Sequence, residues 1–325
     1  MRAAVVTEFG HAPRYAEIDL PPVTDEDAER MDVVAAALHP RVRSQAAGSH
    51  YTSGTFEDDA ELPLIPGIDG VARRADGSLV YFVLPDTRFG SMAEHAVVDL
   101  RRTVPLPAGA SPVTIAAAMN PAMSSWLALR KRARLEPGQS VLILGATGSA
   151  GRLAIEVARH LGAARVVAAG RDPETLEKLT ELGADTVVSL AGDPVEAAAR
   201  VGEAAADVDI VIDYLFGPTT QATIPALLSR RADRSAHLDW VQVGAITGPE
   251  ITIASAFLRG ADIALMGSGQ GSVSTRDIVT ELIPLMEAVD AGSLPIETDA
   301  RPLTDVESVW DERPGSRRRI VLTLG

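Results

Sequence analysis

Cysteine is absent from this 325-residue chain, and its absence removes several kinds of chemistry. Without a thiol the chain forms no disulfide, carries no cysteine-bound iron–sulfur cluster and uses no thiolate nucleophile. Zinc sites built on thiolate ligands are excluded for the same reason. The sequence also has no apolar run that approaches the roughly 20 residues of a membrane-spanning helix.

Positive charge is scarce in the chain. It has 30 basic against 44 acidic residues, a formal net charge of −14, and its only lysines are Lys131 and Lys178. Non-specific nucleic-acid binding and docking on anionic membranes both require a basic surface, so both functions are disfavoured. The first residues, MRAAVVTEFGHAP, contain an acidic residue and a turn where a signal peptide has an unbroken apolar core. We therefore expect a soluble, cytoplasmic protein.

The length of the chain predicts about two domains, and the hydrophobic pattern changes near Ser111. Before this point the pattern consists of short strand-like segments separated by turn signals, over residues 3–7, 32–38, 70–74, 79–84 and 93–98. Short strands at this spacing are typical of a small all-β unit that is closed or nearly closed.

After Ser111, continuously apolar strands alternate with helices. The predicted strands are 141–144, 165–169, 186–189, 208–212 and 237–243. The predicted helices are 112–129, 150–161, 173–182, 194–205 and 219–228. This alternation indicates a doubly wound parallel sheet with helices on both faces. The pattern weakens after a short segment at 264–266, and a helix at about 274–291 and a last strand at 320–324 follow.

Three glycines follow the first strand of the alternating region. Gly145 allows the sharp turn from strand to helix, Gly148 lets the backbone approach a pyrophosphate, and Gly151 lets the helix lie close to the strand. The amides of the first helical turn then face the anion. A purely structural glycine turn is the alternative. The strand–turn–helix context favours a dinucleotide site formed by Gly145, Ala146, Thr147, Gly148, Ser149, Ala150 and Gly151.

The end of the second strand of this region indicates which dinucleotide binds. NAD sites carry an acidic side chain there, which holds the ribose hydroxyls. This chain has Gly170 and Arg171, and an arginine can clamp a 2′-phosphate that a carboxylate would repel. We therefore expect NADPH as the cofactor, bound in part by Gly170 and Arg171. Asp172 is expected to cap the next helix, and an NAD preference through Asp172 is the alternative.

Sequence blocks along the chain occur in an order that resembles a known family. They read MRAAVV at 1–6, LPLIPGIDGVARR at 62–74, GSMAEHAVVD at 90–99, AAAMNPAMSSWLAL at 116–129, EPGQSVLILGATGSAG at 136–151, ELGAD at 181–185 and RIVLTL at 319–324. Over essentially its whole length, the chain resembles the medium-chain dehydrogenases/reductases of the zinc-independent quinone oxidoreductase branch. The resemblance implies an α/β fold. A GroES-like β-barrel substrate domain would comprise residues 1–115 with 270–325, and a Rossmann domain, the doubly wound parallel sheet, residues 116–269.

The resemblance also indicates whether the chain has the zinc site of the zinc-dependent family members. Zinc-dependent members carry a Gly-His-Glu motif and a cysteine ligand, and the matching segment here is Gly67, Ile68 and Asp69. Isoleucine cannot bind zinc, and the histidines show no ligand-like spacing, so we expect no metal. Hydride transfer would then rely on positioning and on hydrogen bonds to the substrate. That chemistry suits quinones and activated C=C bonds, whereas an isolated ketone ordinarily needs a Lewis acid.

Several site residues are implied by the resemblance alone. Ser124 matches the threonine of a Thr-Ala-Trp motif, which implies a hydroxyl near the nicotinamide, and Asn120 lies one helical turn earlier. Tyr51 matches a tyrosine of the substrate cleft. Tyr51 and Ser124 are the candidate catalytic residues, and the proton would come from Tyr51, Ser124 or water. A turn-capping role for Ser124 and a surface position for Tyr51 are the alternatives. The nicotinamide end would also be lined by Val243, Gly244, Gly267 and Ser268.

The chain departs from the family pattern in two places. The usual Asn-x-x-Asp near the substrate is replaced by His39-Pro40-Arg41-Val42, and we interpret His39 as structural rather than catalytic. A lysine often found after the second strand aligns with Thr175, which leaves Arg171 as the main phosphate ligand. Tyr214, at a strand end, is interpreted as covering the rim of the cofactor site rather than lining it.

Together these features predict an NADPH-dependent reductase of quinones or α,β-unsaturated carbonyls that works without zinc. An enoyl-thioester or pathway-specific enone reductase is the alternative within the enzyme class, and an NADPH-binding sensor or structural protein is the alternative outside it. The expected partners are a small-molecule substrate and, by family analogy, a second copy of the chain paired at residues 261–266.

Overall fold

The computed structural model describes residues 1–50, 62–85, 87–312 and 318–324, which form two compact units. The first unit comprises Met1–Asn120 with Thr275–Gly325, and the second comprises Pro121–Ser274. The division proposed from the sequence, 1–115 with 270–325 and 116–269, places each boundary a few residues earlier. In the described residues, no helix combines the length and the apolar character that crossing a bilayer requires.

The secondary-structure elements are numbered in chain order. The strands are β1 (Arg2–Val5), β2 (Arg14–Glu17), β3 (Ala28–Ala37), β4 (Asp69–Arg73), β5 (Leu79–Val83), β6 (His95–Asp99), β7 (Thr103–Pro105), β8 (Ser140–Leu144), β9 (Arg165–Gly170), β10 (Thr186–Ser189), β11 (Ile210–Asp213), β12 (Leu238–Gln242), β13 (Ile263–Gly267), β14 (Glu297–Pro302) and β15 (Arg318–Thr323). The helices are α1 (Pro40–Ala46), α2 (Pro112–Leu127), α3 (Ser149–His160), α4 (Pro173–Lys178), α5 (Pro194–Ala205), α6 (Gly217–Arg230), α7 (Ser255–Gly260), α8 (Thr275–Asp290) and α9 (Val306–Val309).

The first unit is built on β-structure. A seven-stranded sheet runs in the order β14-β15-β3-β4-β5-β7, and β6 also pairs with β3. The ribbon β1–β2 joins this unit through single bridges from Ala3 to Ala93 and from Val6 to Leu64. The carboxyl-terminal strand β15 lies between β14 and β3, so the end of the chain completes a sheet begun by its start. The core beneath the ribbon contains the buried side chains of Leu64 and Met92.

The second unit is the predicted parallel sheet. Its strand order is β10-β9-β8-β11-β12-β13, and every neighbouring pair is parallel. The order reverses direction between β8 and β11, which is the position where doubly wound sheets bind dinucleotides. Strand residues such as Leu142, Val167 and Val211 are completely buried, because helices cover both faces. The α/β fold with a Rossmann-like parallel sheet is therefore confirmed.

Several short elements differ from the sequence expectation. The helix expected over 173–182 is α4 followed by a 3₁₀ turn at Leu179–Leu182, which Gly183 ends in the left-handed region at φ 106°. The helix expected over 112–129 changes to a π turn at Ala128–Arg132. Helices α1 and α7 were not predicted, because six or seven residues are too few for hydrophobic periodicity to show.

An ionic contact joins the beginnings of β12 and β13. His237 lies with Nε2 3.1 Å from Asp239 Oδ1 and Nδ1 3.1 Å from Asp262 Oδ1. These carboxylates, Asp262 foremost, raise the pKa of His237. A protonated ring can donate to both acids at once, whereas a neutral ring donates to one, so this contact contributes most to stability while His237 is charged.

We predict that His237→Gln lowers the free energy of unfolding mainly at acidic pH. A raised folded-state pKa gives stability that is complete below the unfolded-state value of about 6.5 and is lost as the pH rises through the folded-state value. The loss should stay below about 1 kcal/mol, because the imidazole is half exposed. Urea unfolding of both proteins across this pH range measures the difference. His11→Gln, at an exposed histidine 3.8 Å from Glu8, is the control and should change little. A His237 effect that grows with pH would contradict the assignment.

Candidate functional site

The candidate cofactor residues of the second unit lie after the carboxyl ends of its parallel strands. Because all six strands run in one direction, the segments that follow them lie at one edge of the sheet. These segments are the glycine turn after β8, Gly170–Arg171 at the end of β9, Asp213–Tyr214 at the end of β11, Val243–Gly244 after β12 and Gly267–Ser268 at the end of β13.

The glycine turn is fixed to the neighbouring strand. The amides of Gly145 and Ala146 both donate to the carbonyl oxygen of Ala169, each at 2.9 Å. Gly145 has a φ of +90°, a conformation that side chains disfavour. A Cβ at Gly151 would lie 2.3 Å from the Gly145 carbonyl oxygen, so α3 can approach the turn this closely only with glycine at position 151.

Gly148 differs from the other two glycines because the fold has room for a side chain there. Its φ and ψ of −78° and 162° are open to any residue, and a Cβ would meet only the Gly145 carbonyl oxygen, at 3.4 Å. Gly148 is the N-cap of α3, and among the described residues no side chain caps the helix. The amides of the first turn, which helix bonds leave unsatisfied, are therefore available to an anion. The turn fits the pyrophosphate of a dinucleotide.

The end of β9 presents an unneutralised cation beside this turn. A Cβ at Gly170 would lie 2.4 Å from Thr147 Cγ2, so the turn after β8 occupies the space in front of position 170. Arg171 is exposed and has no hydrogen bond or ion pair with any described residue. Asp172 accepts from the Thr175 amide at 3.3 Å and from its hydroxyl at 3.1 Å, which confirms its role as the cap of α4.

A buried carboxylate organises the turn after β11. Asp213 is fully buried, and its Oδ1 accepts from the amides of Leu215 at 2.8 Å and Phe216 at 2.9 Å. Its Oδ2 accepts from the Thr220 hydroxyl at 2.5 Å and from Trp240 Nε1 at 3.0 Å. These four bonds link β11 to β12 and α6, and they hold Phe216 at a φ of +52°.

Tyr214 extends from this turn toward α2. Its hydroxyl lies 2.9 Å from Ser124 Oγ, and Ser124 Oγ lies 2.8 Å from the carbonyl oxygen of Pro121. Burial raises the pKa of Tyr214 to about 12, so the phenol stays protonated at neutral pH. The sequence interpretation of Tyr214 as a rim residue missed this contact. The available signal was its place directly after a buried aspartate at the carboxyl end of a central strand.

The residues predicted for the nicotinamide end are held mainly by backbone hydrogen bonds. The amides of Val243 and Gly244 donate to the Asp213 carbonyl oxygen at 2.7 and 3.1 Å. The carbonyl of Gly267 accepts from Arg132 Nε at 2.9 Å, and the Ser268 amide donates to the Gln242 carbonyl oxygen at 2.8 Å. Asn120 is half-buried and is the last residue of the first unit's amino-terminal segment. Tyr51 lies outside the described residues.

The segment that matches the family's zinc motif takes part in a buried polar network in the first unit. Asp69 accepts from His39 Nε2 at 3.0 Å and from the Tyr81 hydroxyl at 2.6 Å. All three side chains are buried. Burial lowers the pKa of His39, so its ring is neutral, and burial also lowers the pKa of nearby Arg319 to about 10. Ile68 offers no donor atom, and Asp69 is already engaged by protein donors, so these residues do not fit a zinc ion.

The chain matches a family model and is similar in sequence to named oxidoreductases. The family model described as "Zinc-binding dehydrogenase" matches residues 150–288. The chain is similar to "Probable NADPH-dependent quinone reductase tdiC" of Emericella nidulans, with 31% identity over 99% of each chain. It is also similar to "NADPH-dependent alkenal/one oxidoreductase, chloroplastic" of Arabidopsis thaliana, with 29% identity over 60% of this chain and 54% of the relative.

Among solved structures, the chain resembles the quinone oxidoreductase of Thermus thermophilus, which has also been described in complex with NADPH. The TM-score is 0.77 and the identity 24%, over the full length of both chains. The shared feature at this identity is the fold.

We predict that alanine at position 148 weakens dinucleotide binding without destabilising the fold, whereas alanine at position 151 destabilises the fold. Gly148→Ala should leave the free energy of unfolding within about 0.5 kcal/mol of wild type, because the fold has room for the methyl group. Its dinucleotide affinity should nevertheless fall at least about tenfold, because the methyl group stands where the phosphates approach the helix. Gly151→Ala should cost about 1–3 kcal/mol through the clash with Gly145. Urea unfolding and calorimetric titration measure the two quantities.

Gly260→Ala is the matched control, because a Cβ there meets no atom within 4 Å and Gly260 lies in α7. It should retain dinucleotide affinity. Unchanged affinity in Gly148→Ala would contradict the assignment of the turn.

Proposed function

Because the chain belongs to the medium-chain dehydrogenase/reductase family, in its quinone oxidoreductase-like branch, we propose that it reduces quinones and α,β-unsaturated carbonyl compounds with NADPH. The observation that carries the proposal is the pairing of a glycine turn with Arg171. The turn has uncapped helix amides for the pyrophosphate, and Arg171 is an exposed cation at the end of the adjacent strand. The relatives named for NADPH-dependent reduction of quinones and of alkenals support this activity.

Each part of the second unit has a distinct role in binding the cofactor. The first turn of α3 receives the pyrophosphate, and the guanidinium of Arg171 binds the 2′-phosphate that distinguishes NADPH from NADH. The nicotinamide half then lies on the other side of the strand-order reversal, along Tyr214, Gly244 and Gly267. When bound, NADPH supplies the hydride.

The protein's contribution to the chemistry is positioning and the control of a proton. Hydride addition to a quinone or an enone leaves an oxyanion or enolate, which a conjugated system stabilises without a Lewis acid. Tyr51 is retained as the proposed proton donor. Ser124 is proposed as a contact of the nicotinamide, since its own proton is committed to Pro121. An enoyl-thioester substrate is less favoured, because its CoA phosphates call for a basic surface and the chain carries a net charge of −14.

We predict that Arg171→Ala lowers the affinity for NADPH by roughly 10- to 100-fold, the value of a charge-assisted hydrogen bond to phosphate. The affinity for NADH, which lacks the 2′-phosphate, should change less than about twofold. Calorimetric titration of both cofactors, with steady-state reduction of a simple quinone, makes the measurement.

Arg259→Ala is the control, because it removes the same charge from an exposed position of the same unit. It should keep the wild-type preference for NADPH. Equal loss for both cofactors in Arg171→Ala would overturn the assignment of Arg171. A wild-type protein that binds NADPH but does not turn over quinones or enones would favour a sensor or structural role instead.

We also propose that the protein is a homodimer paired through β13, and that it works in the cytoplasm. Strand β13 is at the end of the parallel sheet and pairs with β12 alone among the described strands. Its Leu265 side chain is 40% exposed. An exposed apolar edge strand is available for pairing with a second copy.

We predict that Leu265→Lys converts a dimer into a monomer, because two copies of the strand would bring like charges together. Sedimentation velocity at micromolar concentration measures the change. Val187→Lys is the control, because Val187 is a similarly exposed apolar side chain on β10, at the opposite end of the same sheet. A wild-type protein that sediments as a monomer would remove the proposal.

A further inference from the structure

The hydrogen bonds of Ser124 have a defined direction. A serine hydroxyl has one proton and two acceptor lone pairs. The Pro121 carbonyl oxygen can only accept, so the Ser124 proton points to it across 2.8 Å. The distance of the second contact, 2.9 Å to the Tyr214 hydroxyl, fits either direction; with the Ser124 proton on Pro121, we assign the tyrosine as its donor. Ser124 Oγ is left with one free lone pair and no free proton.

The backbone of Tyr214 is held in place by hydrogen bonds and by close packing. Its amide donates to the Leu144 carbonyl oxygen at 3.2 Å, and its carbonyl oxygen accepts from the Ile246 amide at 3.3 Å. A Cβ at Gly145 would lie 3.2 Å from Tyr214 Cβ, and a Cβ at Gly244 would lie 2.7 Å from its carbonyl oxygen. The backbone of Tyr214 is thus packed between two glycines, directly after the anchored Asp213.

The position of this pair matches the nicotinamide half of the proposed cofactor. The glycine turn after β8 receives the pyrophosphate, and Arg171 after β9 marks the adenosine side. Tyr214 follows β11, on the opposite side of the strand-order reversal. The nicotinamide carries a carboxamide whose NH₂ group is a donor, and the free lone pair of Ser124 is a complementary acceptor.

We propose that Tyr214 is a positioning residue for the nicotinamide. The Pro121 carbonyl makes Ser124 Oγ an acceptor by taking its proton, and Tyr214, by donating to one lone pair, leaves the other directed at the carboxamide NH₂ group. The inference rests on the proposed NADPH function and adds a role for a residue that does not itself carry out the reaction. A nicotinamide held by this bond presents one face to the substrate, and small misplacements of a reacting group are costly in rate.

The test compares two oxidised ligands, NADP⁺ and its 3-acetylpyridine analogue, in which a methyl group replaces the carboxamide NH₂. Wild type should bind NADP⁺ about fivefold more tightly than the analogue, the value of a typical hydrogen bond. Ser124→Ala should bring this ratio to about one, and Ser124→Thr should restore it. Tyr214→Phe should lower the ratio to about two, because Ser124 keeps its lone pair and loses its fixed orientation. Calorimetric titration measures all ratios without turnover.

Tyr15→Phe is the control, because it removes the same hydroxyl from a strand of the first unit, and it should keep the wild-type ratio. In steady-state reduction, Tyr214→Phe should lower kcat more than it raises the KM for NADPH. Thermal unfolding shows whether each variant is folded. The ratio of the two affinities in wild type tests the recognition of the carboxamide even if a variant fails to fold.

The outcomes separate the two proposals. Equal wild-type affinity for both ligands would overturn the role of Ser124 and Tyr214 and leave the NADPH function intact. A ratio retained in Ser124→Ala would do the same, since another group would then recognise the carboxamide. Wild-type protein that binds neither ligand would overturn the function and the inference together.

Discussion

The carboxylate of Asp213 is the interaction on which the geometry of the second unit's ligand-binding edge depends. It lies at the strand-order reversal and accepts four hydrogen bonds, from two amides, a hydroxyl and an indole. A buried carboxylate is tolerated only when its lone pairs are satisfied in this way. Tyr214 is the next residue, so the same bonds help to place the phenol that contacts Ser124. Removing one of these donors would leave one acceptor position of this buried group without a partner.

The polar network of the first unit shows how the chain differs from metal-dependent relatives of its fold. Asp69 lies in the segment that matches a zinc motif, and its oxygens are occupied by His39 and Tyr81. Because His39 is neutral, it adds no further charge to this buried region, where Asp69 and the guanidinium of Arg319 offset each other. In the reaction proposed for this chain, orientation of the reactants takes the place of polarisation by a metal.

The sequence was most informative where a structural demand is local. The turn at Gly145 needs a positive φ and the approach at Gly151 excludes a side chain, so both demands leave a mark in the residue types themselves. The apolar strands likewise indicate burial on both faces. The bond between Ser124 and Tyr214 joins residues 90 positions apart, and no spacing rule connects them. His39 and Asp69 are a second example, since either residue alone resembles an ordinary polar residue of a loop.

The contact between Thr147 and Gly170 constrains how the cofactor preference of this protein could change during evolution. The acidic residue that selects NAD in related sheets ends the second strand, where Gly170 stands. A side chain at 170 would collide with Thr147, whose methyl carbon lies 2.4 Å from the position of the new Cβ. An acid at 170 can therefore be accommodated only after residue 147 has become smaller. If the acid came first, the protein would carry the clash with Thr147 until residue 147 changed. Position 171 is exposed and imposes no such order. A change of preference between the two cofactors by a single substitution is therefore expected at that residue.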